Sequence, residues 1–155
     1  MARKEDEELV KALMDGDTKS VSEALAHGAD PNTRMGNTVT PLLWAVMFGP
    51  EECIEPLIKA GADVNSQDTV LGNTALHYAS IVSEDARIVE TLIAAGANVN
   101  ATNKSGYTAL DHAAGACNES GAAALARAGG KCRADRSEWV NRVVANLGLG
   151  NRRGR

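Results

Sequence analysis

The sequence is poor in the features that build metal centres, disulfide frameworks and membrane spans. Its three cysteines, Cys53, Cys117 and Cys132, are odd in number and lack the C-x-x-C spacing of zinc sites. They predict free thiols in a reducing compartment. No run of 18 apolar residues occurs, so no transmembrane helix is predicted. The N-terminus is charged and its apolar run is short, so we expect no signal peptide and a cytoplasmic location.

Motifs of common catalytic sites are also missing. The sequence holds no Gly-rich phosphate loop, no H-E-x-x-H and no Cys/His metal set. One group suggests chemistry: Asp111, His112 and Cys117, because a catalytic cysteine needs a base within reach. A separation of five residues does not place His112 and Cys117 on one helix face. We therefore expect no enzymatic activity, no cofactor and no metal, and keep a cysteine-dependent enzyme as a remote alternative.

The net charge of −4 conceals two regions of opposite sign. Residues 1–125 hold 18 acidic and 8 basic side chains, whereas residues 126–155 hold 2 acidic and 8 basic ones. Such asymmetry can mark an interaction tail, and it leaves open the binding of nucleic acid or another anionic surface. The final arginines, Arg152, Arg153 and Arg155, are too few for a nucleic-acid stripe. We therefore prefer solubility as the reason for the charge.

Two short phrases recur in phase along the chain. The first occurs as T-P-L-L-W-A, T-A-L-H-Y-A and T-A-L-D-H-A at residues 40–45, 74–79 and 108–113. The second occurs as G-A-D-P-N, G-A-D-V-N and G-A-N-V-N at residues 28–32, 61–65 and 96–100, with a weaker echo at Gly129 and Gly130. Repetition near 34 residues indicates one supersecondary unit that is copied and stacked.

These phrases resemble the ankyrin repeat, whose consensus carries T-P-L-H-x-A, a second helix rich in Ile-Val and Leu-Leu, and then G-A-x-V-N. The resemblance covers about residues 5–132 and implies an all-α solenoid of helix-turn-helix units with short finger hairpins. The expected domains are a repeat domain over 1–134, a capping helix over 135–147 and a basic, flexible tail over 148–155. The repeat domain divides into an N-terminal capping repeat, two full repeats and an eroded last repeat, at residues 1–36, 37–70, 71–104 and 105–134.

Local signals refine the expected helices, which form pairs near residues 6–27, 40–60, 74–95 and 108–128. Thr40, Thr74 and Thr108 suit N-caps, and Pro41 suits the first helical position because it has no N–H to lose. Ser83, followed by two acids, predicts the cap of a second helix. Pro56 falls inside another second helix, where it would cost about 3 kcal/mol unless the helix bends.

The last repeat is eroded, because small residues replace the large ones expected in its second helix; they are Gly121, Ala122, Ala124 and Ala126. A following amphipathic helix near 136–147 is predicted from the apolar spacing of Trp139, Val140, Val143, Val144 and Leu147. We interpret this helix as a cap that buries Trp139 against the thin repeat. A free helix that docks into a partner is the alternative.

The resemblance places the ligand surface on the concave side, at the finger tips and the exposed ends of the first helices. The variable positions there carry large apolar residues, which indicate a partner site: Met14, Met47, Phe48, Ile81 and Val82. Trp44 and Tyr78 at matching helix positions and Tyr107 in a finger complete the predicted set. Trp44 and Tyr78 suit packing between first helices equally well.

The predicted function is therefore a non-catalytic module that binds a protein partner, with stacking expected to align the variable positions in one apolar ridge. By analogy with small acidic ankyrin domains, an inhibitor or immunity-type protein that covers a basic partner is expected. We expect a monomer that binds no membrane.

Overall fold

The computed structural model describes residues 3–83, 85–133 and 137–146. The chain forms two compact units, Met1–Ala75 and Leu76–Arg155. Within the described residues the fold is all-α, as the repeat pattern predicted, and β pairing is limited to isolated bridges between Met35 and Val39 and between Gln67 and Thr74.

The first unit contains two helix pairs and two fingers, residues 32–40 and 65–74. Its helices are α1 (Lys4–Asp15), α2 (Thr18–Ala26), α3 (Pro41–Phe48), a 3-10 turn (Glu51–Cys53) and α4 (Ile54–Lys59). Helix α1 packs on α2 and α3, and α3 packs on α4. Fully buried aliphatic side chains fill the core between them, namely Leu9, Leu13, Val21, Leu42, Leu43, Ile54 and Leu57. Burying each such side chain stabilises the fold by about 1.5–3 kcal/mol.

The second unit follows the same plan, with a third finger over residues 100–108. Its helices are α5 (Ala75–Val82, which begins at the last residue of the first unit), α6 (Arg87–Ala94), α7 (Ala109–Gly115), α8 (Glu119–Arg127) and α9 (Ser137–Asn146). Helix α8 packs against α6, α7 and α9. The buried core side chains include Leu76, Val89, Leu92, Leu110 and Leu125.

The caps predicted at Thr40 and Thr108 are confirmed. The hydroxyl oxygen of Thr40 accepts from the Leu43 N–H at 3.4 Å, and Pro41 follows at the first helical position. Thr108 forms a capping box, in which the Asp111 carboxylate accepts from the Thr108 N–H at 2.9 Å. These bonds satisfy N–H groups that have no acceptor within the helix.

Pro56 does not lie in a helix interior, because its helix begins later than predicted. Residues Glu51–Cys53 form the 3-10 turn, so Pro56 is the third residue of α4. The first four N–H groups of an α-helix have no intrahelical acceptor. The proline therefore sacrifices no α-helical bond, and the expected penalty of about 3 kcal/mol does not arise.

The prediction that Ser83 caps α6 is wrong. The Ser83 hydroxyl donates instead to the Asp85 carbonyl oxygen at 2.7 Å. The Asp85 carboxylate accepts from the Arg87 N–H at 3.0 Å and pairs with its guanidinium at 2.9 Å. The backbone and side-chain bonds from Arg87 lower the pKa of Asp85. Glu84, the other acid of the predicted start signal, lies outside the described residues.

Within each unit, an asparagine of the second phrase ties one repeat to the next. Asn32 accepts from the Asp63 N–H at 2.7 Å and donates to the Gly61 carbonyl at 3.0 Å. Asn100 accepts from the Lys131 N–H at 2.8 Å and donates to the Gly129 carbonyl at 3.2 Å. The two sets of bonds correspond, which confirms that Gly129 begins a degenerate copy of the phrase.

Gly121 makes room for a polar bridge rather than leaving a gap in the last repeat. The Asn118 amide donates to the carbonyls of Ser80 and Ser83 at 3.1 and 2.7 Å, and its oxygen accepts from the Gly121 N–H at 2.9 Å. A Cβ atom at position 121 would lie 2.7 Å from Nδ2 of Asn118. The glycine therefore allows Asn118 to join the start of α8 to the end of α5.

Gly121→Ala should destabilise the protein by about 1–3 kcal/mol, because the new Cβ displaces Asn118 from its buried acceptors. In an ordinary helix interior the same change stabilises by about 1 kcal/mol. Urea unfolding of Gly121→Ala, of Asn118→Ala and of the double variant Asn118→Ala/Gly121→Ala tests this. With Asn118 removed, adding the methyl group should become neutral or stabilising; an equal loss in both backgrounds would contradict the explanation.

Helix α9 confirms the predicted amphipathic helix. Val140 and Val143 are buried and Trp139 is partly buried, so two valines rather than the tryptophan occupy the packed centre. The expected last turn at Leu147 and the basic tail lie outside the described residues. The capping role of this helix stays a prediction.

Candidate partner-binding surfaces

The predicted site residues of the first unit lie at the C-terminal ends of α1 and α3. Met14 and Phe48 are 63% and 66% exposed, whereas Trp44 and Met47 are partly buried. Residues four apart share a helix face, and the rings of Trp44 and Phe48 accordingly lie 4.9 Å apart between centroids. The end of α1 lies close to the end of α3, since a Cβ atom built on Gly16 would lie 3.8 Å from Cγ of Pro50. Met14 and Phe48 are thus presented to solvent at the ends of two helices that pack together.

The predicted residues of the second unit lie at the end of α5 and in the third finger. Ile81 and Val82 are about half exposed, and Tyr78 and Tyr107 are partly buried. The Arg133 guanidinium carbon stands 4.8 Å from the centroid of the Tyr107 ring. A cation at this distance is attracted to the ring face, so the Tyr107 ring is held in place.

An open depression of about 460 Å³ lies beside Ile81, Tyr107 and His112. Its floor includes Gly115 and Ala116, which hold the positions that Met47 and Phe48 hold in the first unit. Small side chains at these positions leave the depression empty. It is lined mainly by apolar atoms and can receive an apolar side chain of a partner.

His77 and Asp111 occupy the same position in their helices, and both side chains hold backbone groups. Nε2 of His77 donates to the Tyr107 carbonyl at 2.9 Å. The buried Asp111 carboxylate accepts from the N–H groups of Thr108 and Arg133. The Asp111 carboxylate of the suggested catalytic group therefore binds backbone N–H groups. Cys117 of the same group is exposed in the turn after α7.

Asp6, the third residue of α1, makes a similar contact between its side chain and the backbone, which sequence reasoning missed. Its carboxylate accepts from the Asp30 N–H at 2.7 Å and pairs with the Arg3 guanidinium at 3.0 Å. The bond from the Asp30 N–H, followed by the bond from Arg3, lowers the pKa of Asp6. In the repeat register Val10, and not Asp6, aligns with His77, so the repeat pattern carried no signal for this contact.

Asp6→Asn should destabilise the protein near neutral pH, because the amide keeps an acceptor for Asp30 but loses the charge that attracts Arg3. A carboxylate with a lowered folded-state pKa stabilises fully above its unfolded pKa of about 3.9. That contribution disappears as the pH falls through the lower folded value. Urea unfolding of both proteins at pH 7, 5, 3 and 2 should show a stability difference that shrinks below pH 4. A constant difference would show that the charge contributes nothing.

Sequence reasoning also missed an apolar finger tip, formed by Val70 and Leu71, which are 66% and 53% exposed. The buried Asp68 carboxylate shapes the tip by accepting from the N–H groups of Val70, Leu71 and Asn73 at 2.6–2.8 Å. A signal was present, since this finger has ten residues and the other two have nine. Asp68 and Gly72 are residue types typical of tight turns, and the extra residue lengthens the loop between them.

The two units differ in charge. The first holds 13 acidic and 6 basic side chains, and the second holds 7 acidic and 10 basic ones. Within the described residues, no three His, Cys, Asp or Glu side chains gather closely enough to hold a metal ion. None of the helices in the described part of the chain is long and apolar enough to cross a membrane.

Comparison with known families agrees with the geometry of these helix pairs and fingers. The sequence matches the family described as "Ankyrin repeats (3 copies)" over residues 2–68 and 42–135. The chain belongs to the ankyrin repeat family. Ankyrin repeats are generally non-catalytic modules for protein–protein interaction, which is the coarse function of this chain.

Similar proteins carry ankyrin repeats in varied contexts. Ankyrin repeat protein FPV031 of Fowlpox virus is 42% identical over 78 residues, which is 50% of this chain and 22% of that protein. Human ankyrin repeat and SOCS box protein 6 is 37% identical over 106 residues, 68% of this chain and 25% of that protein. The Arf-GAP with coiled-coil, ANK repeat and PH domain-containing protein 2 of Rattus norvegicus is 36% identical over 83 residues, which are 52% of this chain and 11% of that protein. This ankyrin repeat chain spans a quarter or less of each of these relatives.

Proposed function

We propose that this ankyrin repeat protein binds a protein partner through the exposed ends of its first helices and blocks that partner as an inhibitor. One observation carries the proposal: Phe48 is 66% exposed although aromatic residues are scarce in the chain. Contiguous exposed apolar side chains commonly mark partner sites. Met14 at the end of α1, Met47 next to Phe48 in α3, and Ile81 and Val82 at equivalent positions in the second unit add further exposed or partly exposed apolar side chains.

The charge of the first unit supports a basic partner. Its excess of seven acidic side chains attracts a basic surface and accelerates association. The apolar side chains would then supply most of the affinity, because well-packed aromatic anchors dominate binding energy. A monomer that acts in the cytoplasm, where its cysteines stay reduced, completes the proposal.

Affinity capture from a lysate of the source organism tests this function. Wild-type protein should capture a partner that a folded Phe48→Glu/Val82→Glu variant loses. An Ala94→Glu/Ala128→Glu variant should retain the partner. It adds the same charge at exposed alanines at the ends of α6 and α8. The purified partner should then bind the wild type directly in calorimetry. Retention of every captured protein by the Phe48→Glu/Val82→Glu variant would reject the assignment.

The alternative, nucleic-acid binding through the basic C-terminal segment, predicts a different result. Each phosphate contact makes affinity fall with salt, so that binding should drop steeply between 50 and 200 mM salt, by roughly tenfold or more. It should also be lost when residues 148–155 are deleted. Binding with both properties would favour this alternative over the protein-binding proposal.

A further inference from the structure

An apolar groove of about 420 Å³ lies in the first unit between α1 and the first finger. Val10, Met14 and Met35 supply its apolar lining. The core of the unit uses another face of α1, because Leu9, Ala12 and Leu13 are buried. Val10 and Met14, four residues apart, therefore face the groove together. Methionine side chains adapt their shape, which suits a surface that receives a foreign side chain.

Charged residues follow the groove in an alternating row on α1. Glu7, Lys11 and Asp15 are spaced by four residues and all line the groove. Among the described residues, none of the three forms an ion pair. Of the other charged lining residues, Asp6 pairs with Arg3, and the Arg34 guanidinium keeps its positive charge while it donates to the neutral carbonyls of Thr38 and Gln67 at 3.1 Å. Two carboxylates thus flank one ammonium group beside the apolar lining.

The spacing of the carboxylates sets the geometry of a complementary segment. Eight residues of α-helix span about 12 Å, which separates Glu7 from Asp15. In an extended chain, about four residues cover that distance. Lys11 lies between them and repels a cation at the centre of the bound segment. An apolar residue there is tolerated by Lys11 and favoured by the lining of Val10 and Met14.

We propose that this groove binds an extended segment of the partner in which an apolar side chain stands midway between two basic ones about four residues apart. The apolar side chain enters against Val10, Met14 and Met35, and the basic side chains pair with Glu7 and Asp15. This inference rests on the proposed protein-binding function and names the chemistry of the segment. The acidic excess of the whole first unit acts in the same direction.

Methyl NMR of the full chain, titrated with a capped pentapeptide, tests the inference. The probe carries lysine at positions 1 and 5, leucine at position 3 and alanine between them. It should shift the methyl signals of Val10, Met14 and Met35. A peptide with glutamate at positions 1 and 5 should bind at least about threefold more weakly, as expected for two exposed ion pairs. Serine in place of leucine should weaken binding by at least about fivefold.

Matched variants separate local pairing from net charge. Glu7→Gln/Asp15→Asn should reduce the affinity for the lysine peptide at least about threefold. Glu23→Gln/Glu52→Gln removes the same charge from exposed sites off the groove and should leave the affinity within about twofold. Equal losses in both variants, equal binding of the glutamate peptide, or shifts at other methyl groups would overturn the inference.

If the same methyl signals shift when the chain alone is concentrated, the groove belongs to a second copy and the inference is overturned. If capture of the partner depends on Phe48 but the groove variants bind every peptide alike, this inference fails while the proposed function stands.

Discussion

Replacing Phe48 by alanine should weaken binding of the captured partner about thirtyfold or more, which corresponds to about 2 kcal/mol. Phe48 is a large, exposed side chain whose ring is held against Trp44. An anchor of this kind loses little conformational freedom on binding and buries a large apolar area. Removing the ring should raise the dissociation rate more than it lowers the association rate, because it leaves the charge unchanged.

The same variant should keep its fold. Loss of the contact with Trp44 should change the free energy of unfolding by less than about 1 kcal/mol, because Phe48 lies outside the core. Calorimetry for affinity and urea unfolding for stability measure the two effects. Ile58→Ala, a truncation of a partly exposed side chain on α4 outside the proposed site, serves as a control for nonspecific loss of apolar surface. If Phe48→Ala unfolds the protein without selectively weakening binding, the residue belongs to the core and the site assignment is wrong.

Leu125→Ala should lower the free energy of unfolding by about 2–5 kcal/mol. Leu125 is fully buried and is the only large aliphatic residue of α8, whose other buried residues are glycine and alanines. Helix α8 packs on α6, α7 and α9, so this one side chain reaches the centre of the unit. Alanine neighbours cannot extend to fill the space, and a cavity would remain.

Urea unfolding followed by circular dichroism measures this effect, with Leu71→Ala as the matched control. The same atoms are removed at position 71, but that side chain is 53% exposed, so the cost there should stay within about 0.5 kcal/mol. The m value should remain unchanged in both variants if unfolding stays cooperative. Equal stability of the two variants would show that another residue carries the packing of α8.

The sequence by itself determined the repeat architecture and its local chemistry. In-phase phrases predicted the helix pairs, and the caps at Thr40 and Thr108 are present as expected. These features depend on residues within one repeat, and three copies of each phrase make the pattern clear. The exposed positions at the first-helix ends, such as Phe48, followed from the same alignment of the copies. Local propensity and repetition suffice wherever interactions stay within a repeat.

Only the tertiary structure decided the features that depend on contacts between distant residues or on where a helix begins. Gly121 is accommodated because Asn118 reaches carbonyls 35 and 38 residues away. Pro56 is tolerated because a 3-10 turn delays the start of α4. The groove between α1 and the first finger exists because Met35, 21 residues after Met14 in the sequence, folds back to it. Such contacts leave no periodic signal in the chain, since they are set by packing rather than by the spacing of residues within one element.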